Sequence, residues 1–494
     1  MSSSGNPTAA MYPHFYINGQ WTTADSSTLT TVTCSTTGEV LGSFPVATEV
    51  DINRAVTAAA QAFADPSGWS SWTAEDRASI MDRLADAIER RGEEMAQLIA
   101  REVGTPITAA RGSGAEYAAR LLRFYAGVAR RLDTEASRPA LAGHTLVRRE
   151  PIGVAALIVP WNYPISLACF KLAPALASGS TAVLKPSPET GLDSYLLAEA
   201  IAETGFPPGV INIVPAGREL GAHLVVHPGI DKVSFTGSTE AGRWVARRCG
   251  SLLRPLTLEL GGKSAAVVLD DVDLNAFTGQ LLGSSFPNNG QTCTASTRIL
   301  APRSIFTDVC DAVTQAASSY RIGDPRDTTT DIGPLVSARQ RDRVEDYIRK
   351  GRDEGGRITT GGDRPKGLDP GLFTAPTVFT DVDPSMTIVR EEIFGPVVAV
   401  LAYDGGDDAA IQLANDSTYG LAGTVWSADT QRAIDVARRI DTGTVGINSW
   451  DLDIGAPFGG RRHSGLGHEL GPEGIDGYLR YKTIFVGQQP NTSR

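Results

Sequence analysis

Cysteine is scarce. There are five in 494 residues, at positions 34, 169, 249, 293 and 310, with no C-x-x-C spacing. An odd, dispersed set excludes a disulfide framework and a structural zinc site, and fits a reducing compartment, here the cytoplasm. Basic charge is also short: 45 Lys and Arg against 56 Asp and Glu give a net charge of −11. The cations are scattered, so the footprint of a nucleic acid partner is missing. Gly (52) and Pro (29) make up about a sixth of the chain, below the roughly 25–30% of low-complexity sequence, which excludes collagen-like and disordered classes. Histidines number six, and the helix-spaced pair His223 and His227 in HLVVH lacks the glutamate of a metalloprotease motif, so no metal is expected.

Long apolar runs are equally rare. Residues 152–170 pass 19 positions without a charge, near the length of a membrane span. Pro160, Asn162 and Pro164 interrupt them, so a strand over 153–159, a turn and a buried helix fit better than a span. The N-terminal MSSSGNPTAAMYPH has neither the basic nor the apolar region of a secretory signal, and no membrane partner is expected.

What is present is alternation. At roughly 150 residues per domain the length suggests two to four domains. Apolar positions Ile80, Leu84, Ile88, Met95, Leu98 and Ile99 predict an amphipathic helix or helix pair over 74–103, with a shift near Gly92. Strands over 153–159, 181–185, 209–214 and 231–235 then alternate with helices near 165–178, 190–203, 217–226 and 239–248, which predicts a parallel, doubly wound α/β sheet. Residues 256–270 (LTLELGGKSAAVVLD) place two strands around a Gly-Gly turn, a boundary between lobes. A second region follows, with strands over 298–301, 376–380, 397–403, 421–426 and 443–447 and helices near 304–318, 337–353, 407–415 and 429–440. No repeat of 20–50 residues is visible. Segments 143–150 and 478–486 read as stray strands whose free edges suit a subunit interface.

Several residues carry potential chemistry. Cys293 lies in a polar, glycine-containing stretch, NNGQTCTASTR, unlike the apolar helical settings of Cys169 and Cys310. A lone cysteine is usually core filler, and a nucleophilic role requires a field that lowers its pKa. Glu259 interrupts an apolar strand, where it is either an exposed strand position or a general base in a cleft. Asn162 is either a turn residue or an amide donor to an oxyanion. In FTGSTEAG (235–242) Ser238 is a natural N-cap whose helix can attract phosphate, although the segment also reads as an ordinary strand-to-helix turn.

Taken together the chain resembles the NAD(P)-dependent aldehyde dehydrogenase superfamily. The ordered series runs from FYINGQW (15–21) through PWNYP (160–164), KPS (185–187), FTGSTEAG (235–242), LELGGKS (258–264), GQTC (290–293), EEIFGPV (391–397) and PFGG (457–460) to SGLGHELG (464–471). The resemblance implies a Rossmann-like NAD(P)-binding domain from 12–130 and 151–261, an α/β catalytic domain over 262–465, and oligomerisation strands over 131–150 and 476–490 that join homodimers or homotetramers. It implies that Cys293 is the nucleophile, Glu259 the base and Asn162 the oxyanion donor in oxidation of an aldehyde to an acid through a thiohemiacetal and a thioester.

For the cofactor it implies Val159, Pro160, Trp161, Lys185, Ser187, Glu189, Phe235, Thr236, Gly237, Ser238, Leu260, Glu392 and Phe394. Lys185 is expected on the adenosine ribose, Ser238 on the pyrophosphate and Glu392 on the nicotinamide ribose. Many NAD-preferring relatives carry a glutamate three residues after this lysine, whereas here Pro188 stands there and Glu189 follows, so NAD is favoured and NADP stays open. Tyr163, Leu167, Phe170, Thr292, Thr294, Trp450 and Phe458 match substrate-lining positions, and Asp451 and Asp453 add negative charge that disfavours dicarboxylic semialdehydes. The alternatives are a CoA-acylating aldehyde dehydrogenase and a thiol esterase without redox activity; Glu259, available to activate water, argues against the first.

Overall fold

The computed structural model describes residues 10–487. Its first large sheet has eight strands. Five are parallel, in the spatial order Leu256–Glu259, Lys232–Thr236, Val154–Ile158, Thr181–Lys185 and Ile211–Ile213. Val, Ile, Leu and Ala dominate them, and Val154–Ile158 and Thr181–Lys185 are buried along their whole length, as a sheet covered on both faces requires. The covering helices are Pro164–Ser178, Gly191–Ala202, Arg218–Val226 and Thr239–Ser251, all within a few residues of the expected spans. The hairpin His14–Ile17 and Gln20–Thr23 closes one edge, and Gly465–Leu466 pairs antiparallel with Leu256–Glu259 at the other.

Chain order fixes where a ligand can sit. From Val154–Ile158 the chain winds outward through Thr181–Lys185 to Ile211–Ile213, then crosses back to Lys232–Thr236 on the opposite side of Val154–Ile158. The direction reverses between those two neighbours, and a crevice opens beyond their carboxyl ends. The uncharged run 152–170 is the strand, the turn and the start of a helix with Pro164 in its first turn. Among the described residues no helix is long and apolar enough to cross a membrane.

The second sheet has seven strands in the order Arg357–Thr360, Thr377–Thr380, Val397–Tyr403, Arg298–Pro302, Ala265–Val268, Ala422–Trp426 and Thr444–Ile447, parallel except for the first. Residues 260–264 alone separate its Ala265–Val268 strand from the last parallel strand of the first sheet, so the expected Gly-Gly turn does divide two sheets.

A third sheet is built by Glu135–Pro139, His144–Pro151 and Leu479–Val486, with register from Leu479↔Pro151 to Val486↔His144. The two predicted stray strands thus pair with each other, leaving Tyr481 and Phe485 exposed. Residues 488–490 of the expected 476–490 segment, and residues 1–9 of the N-terminal stretch, lie outside the described residues.

The segment 74–103 is a pair of helices, Ala74–Arg90 and Gly92–Glu102. Ala74–Arg90 and Tyr117–Arg131 pack on each other and against Pro164–Ser178, with Leu84, Ile88, Leu121, Leu122 and Tyr125 in the shared core, while Gly92–Glu102 packs on Gly191–Ala202. Neither Tyr117–Arg131 nor Glu49–Ala64 was expected as a helix; the second buries mainly alanine, whereas the first buries Leu121, Leu122, Tyr125 and Val128 along one face.

Candidate active site

The segment carrying Cys293 is held by amide side chains. Asn288 (φ 51°), Asn289 (φ 61°) and Gly290 (φ 74°) form a left-handed run, a conformation that asparagine and glycine tolerate best. Asn289 Nδ2 donates to the carbonyls of Gly104 (2.8 Å) and Pro334 (2.9 Å), and its Oδ1 accepts from Gly333 N–H (2.7 Å). Asn288 Nδ2 donates to the Asn162 carbonyl at 2.8 Å, while Gln291 Oε1 accepts from Val336 N–H at 3.0 Å. These anchors escaped the sequence reading; the signal was the NNG tripeptide itself.

Asn162 comes to the same segment from the first sheet. It is 4% exposed, and its Nδ2 donates to the Gln291 carbonyl at 3.0 Å, two residues before Cys293, which leaves the second N–H of the amide free. Tyr163 is joined to Thr292 by a 2.8 Å hydroxyl contact, and Thr292 donates to the Pro287 carbonyl at 3.0 Å. Cys293 packs on the apolar cluster that contains Phe170 and Phe458 and that Trp161, Leu167 and Trp450 also touch. Thr294 is buried beside it. Phe170 stacks on Tyr117 (centroids 5.7 Å), whose hydroxyl donates to the Leu452 carbonyl at 3.1 Å. Asp451 and Asp453 help to raise the Tyr117 phenol after burial, so the two acids do stand near the aromatic wall.

Glu259 is not an exposed strand position: it is 3% exposed at the end of its strand, and neither carboxylate oxygen has a hydrogen-bond partner. Burial and the like charge of Glu469 push its pKa well up, and the Lys171 ammonium pulls the other way. Lys171 is fully buried and ion-paired to Glu469, with Ser234 Oγ donating to the same carboxylate oxygen at 3.2 Å. Lys171 and Glu469 are 298 positions apart, and the sequence reading missed both.

No field lowers the Cys293 pKa in this chain alone. Burial pushes the thiol up, as do the carboxylates of Glu392 and Glu259, while the N–H groups of Cys293 and Thr294 offset part of the rise. The glycine pair Gly261–Gly262 brings these groups together. A Cβ on Gly262 would stand 2.3 Å from the Cys293 carbonyl, and one on Gly261 would stand 2.5 Å from the Glu392 carboxylate. Gly262 N–H donates to Glu392 Oε1 at 2.9 Å.

Of the remaining expected cofactor residues, those from 159–161, 185–189, 235–238 and 260 stand at or just beyond the carboxyl ends of the first sheet's parallel strands. Pro160 and Trp161 follow the Val154–Ile158 strand, and the Trp161 ring meets Phe394 (φ 65°) edge-on at 5.4 Å, bridging the two sheets. Val159 N–H bonds the Lys185 carbonyl at 3.2 Å and Gly237 N–H the Glu259 carbonyl at 3.0 Å. Phe235 is half-buried, Leu260 is buried, and Thr236 Oγ1 is buried with no partner. Ser238 is the expected N-cap, accepting from Ala241 N–H at 3.3 Å. Burial pulls the Lys185 ammonium down to about 8 against the charge of Glu189, and its Nζ donates to the Ala216 carbonyl at 2.6 Å. Ser187 Oγ donates to Glu189 Oε2 at 2.5 Å, and Arg339 to Oε1 at 2.9 Å. His223 and His227 bond Asn53 and Gly229 N–H, and among the described residues no cluster of metal-ligating side chains occurs.

A doubly wound sheet whose switch-point crevice faces a thiol and an isolated buried carboxyl defines a nucleotide-dependent oxidoreductase. The aldehyde dehydrogenase family model matches residues 21–484. Geranial dehydrogenase of Castellaniella defragrans is 50% identical over 96% of this chain and 99% of its own length. The 3-succinoylsemialdehyde-pyridine dehydrogenase of a Pseudomonas species is 41% identical over 96% of this chain and 98% of its own. Among solved structures, an aldehyde dehydrogenase of Mycobacterium tuberculosis complexed with NAD+ superposes with a TM-score of 0.94 at 44% identity, covering 97% of this chain and 99% of that one. Aldehyde dehydrogenase C of Pseudomonas syringae, complexed with NAD+ and octanal, gives 0.92 at 38% identity, covering 96% of each chain. The chain belongs to the aldehyde dehydrogenase family, oxidoreductases that act on aldehydes.

Proposed function

We propose that this chain oxidises an apolar aldehyde to its carboxylic acid with NAD, using Cys293 as nucleophile, Asn162 as oxyanion donor and Glu259 as general base. One observation carries the reading: the segment bearing Cys293 is tied to Asn162 from one side and packed on the Gly261–Gly262 turn that follows Glu259 on the other.

An aldehyde carbon cannot release hydride while it is planar. The Cys293 thiol loses its proton to solvent water, and addition of the thiolate makes a tetrahedral thiohemiacetal, whose oxyanion the free Asn162 N–H and the Cys293 N–H stabilise; loss of one such donor costs about 3–4 kcal/mol of barrier. Bound NAD supplies the hydride acceptor. The thioester left on Cys293 is cleaved by water that Glu259 deprotonates, which returns the thiol and releases the acid. A carboxyl whose pKa is raised by burial suits that task near neutral pH, and the like-charge penalty between Glu259 and Cys293 lets one negative charge at a time occupy the site.

The switch-point crevice fits the cofactor. The Ser238-capped helix offers first-turn N–H groups to a pyrophosphate, Thr236 Oγ1 has no partner, and the Trp161–Phe394 contact brings the second sheet's residues toward the same strand ends, which supports roles for Lys185, Glu392 and Phe394 in holding the cofactor. Glu189, held by Ser187 and Arg339, stands in for the missing carboxylate at 188 and supports NAD over NADP. Segments 12–130 and 151–261 form the cofactor module, and 262–465 the catalytic one.

The third sheet, with Tyr481 and Phe485 exposed on an open strand, supports a homodimer or homotetramer, testable by size exclusion with light scattering. Five free cysteines support a cytoplasmic location. An aldehyde panel read by NADH absorbance tests the reaction. The Cys293→Ala variant loses the signal; Glu259→Gln keeps the first hydride burst but stalls turnover, and absence of that burst would overturn the division of labour. Efficient turnover of succinate semialdehyde would overturn the apolar preference.

A further inference from the structure

An ion pair joins the two large sheets' halves of the chain beside the residues expected at the adenosine ribose. Arg339 Nη2 donates to Glu189 Oε1 at 2.9 Å across 150 positions of sequence, and Ser187 Oγ takes the other carboxylate oxygen. Arg339 stands in the first turn of the helix Ala338–Asp353, which carries no acidic residue there, and the helix dipole opposes a cation at that end. It is also 82% exposed, and an ion pair so open to water adds little to stability. Neither the helix nor the fold therefore calls for an arginine at 339. Its place along the crevice does: the same helix reaches the residues expected at the nicotinamide ribose, where Gln340 Nε2 donates to the Phe394 carbonyl (2.8 Å) and Arg343 Nη2 to the Glu392 carbonyl (2.6 Å). Lys185, whose charge also feels Glu189, is turned inward onto the Pro186 and Ala216 carbonyls at 3.0 and 2.6 Å.

We infer that Arg339 decides whether a ribose 2′-phosphate is accepted: in the native chain Glu189 neutralises it and repels the phosphate, and without that carboxylate Arg339 is the cation that receives one. The inference rests on the cofactor site proposed above and extends it to a residue outside the first sheet. A ribose 2′-hydroxyl needs an acceptor and a 2′-phosphate needs a cation. With both partners present the carboxylate oxygens keep lone pairs for a hydroxyl, whereas the guanidinium charge is already answered. Guanidinium suits the second task because its planar fork meets two phosphate oxygens at once, where an ammonium acts as a point charge.

The test is calorimetric titration of adenosine 2′,5′-bisphosphate and of 5′-AMP into the wild type, Glu189→Gln and the double variants Glu189→Gln/Arg339→Ala and Glu189→Gln/Arg339→Lys, with kcat/KM for NADP and NAD measured on the same proteins. Glu189→Gln is expected to raise the ratio of bisphosphate to 5′-AMP affinity about 10- to 100-fold, the span that charge-assisted hydrogen bonds to a phosphate supply. Alanine at 339 in that background returns the ratio to within about threefold of the wild type, and lysine recovers part of the gain, because the charge comes back without the fork. The preference for NADP over NAD moves in parallel. A ratio that does not rise in Glu189→Gln, or that rises as far with alanine at 339 as with arginine, would overturn the role of Arg339 while leaving NAD-dependent oxidation intact. A wild type that binds neither 5′-AMP nor NAD would instead overturn the cofactor site itself.

Discussion

Replacing Glu469 by glutamine tests whether the buried charges behind Glu259 set its working pH. In the native chain Glu259 feels two opposed neighbours, the Glu469 carboxylate, which raises its pKa, and the Lys171 ammonium, which lowers it. Glutamine keeps an acceptor oxygen for Lys171 and Ser234 and removes only the negative charge. At an effective dielectric of about 20, a unit charge among buried side chains is worth on the order of 1–3 kcal/mol. Removing a like charge eases ionisation, so the Glu259 pKa falls. Because the hydrolytic step needs the ionised carboxylate, kcat in the native enzyme rises with pH through the elevated pKa; in Glu469→Gln that acidic limb moves to lower pH. The assay is kcat between pH 5 and 9, with the hydride burst measured in parallel to show that acylation is retained. A limb that stays put, or moves to higher pH, with a normal burst would refute this electrostatic account. Lys171→Met makes the opposite perturbation: it leaves two buried carboxyls without their cation, raises the Glu259 limb, and costs about 3–5 kcal/mol of stability.

Asn162→Ala is expected to lower kcat by about 10²- to 10³-fold in steady-state NADH production, because it removes the oxyanion donor and the tie to the Gln291 carbonyl together. Asn289→Ala touches no substrate but strands the buried Gly333 N–H and the Gly104 and Pro334 carbonyls and puts alanine, which tolerates the left-handed region less well than asparagine, at φ 61°, so chemical denaturation should show a loss of about 2–4 kcal/mol. Glu102 and Asp193 form a buried acid pair on adjoining helices, with Asp193 pushed up to about 7 mainly by burial and Glu102 raised by burial and by Asp193. Since the fold favours their protonated forms and the unfolded chain ionises them near pH 4, their contribution to stability is full below that pH and is lost as pH rises toward 7. Asp193→Asn should therefore raise the Tm at pH 8, with the gain vanishing near pH 4, as read by scanning calorimetry.

The strands of the first sheet were legible because parallel strands buried on both faces are written as uninterrupted apolar runs bounded by glycine or proline, as in 153–159 and 181–185. The helix Tyr117–Arg131 was not read, although Leu121, Leu122, Tyr125 and Val128 mark its buried face, because no strand leads into it and no capping side chain opens it. Cys293, Glu259 and Asn162 could be named from their motifs, yet the residues that tune them could not. Lys171 is a single charge inside an apolar helix, and only the fold shows that it answers Glu469. The raised thiol of Cys293 follows first from burial and then from carboxylates that lie 99 and 34 positions away in the chain, none of which could be read from its polar flanks.

The five residues between Glu259 and Ala265 are the link from one large sheet to the other and also the surface on which the nucleophile's loop rests. Hybrid enzymes made by joining the front half of one relative to the back half of another at this junction would therefore split a contact rather than a linker. Crossovers placed upstream of residue 256 or beyond residue 302 would carry the turn, the carboxyl and the thiol together from a single parent, and those hybrids should retain turnover where junctions inside 260–264 lose it.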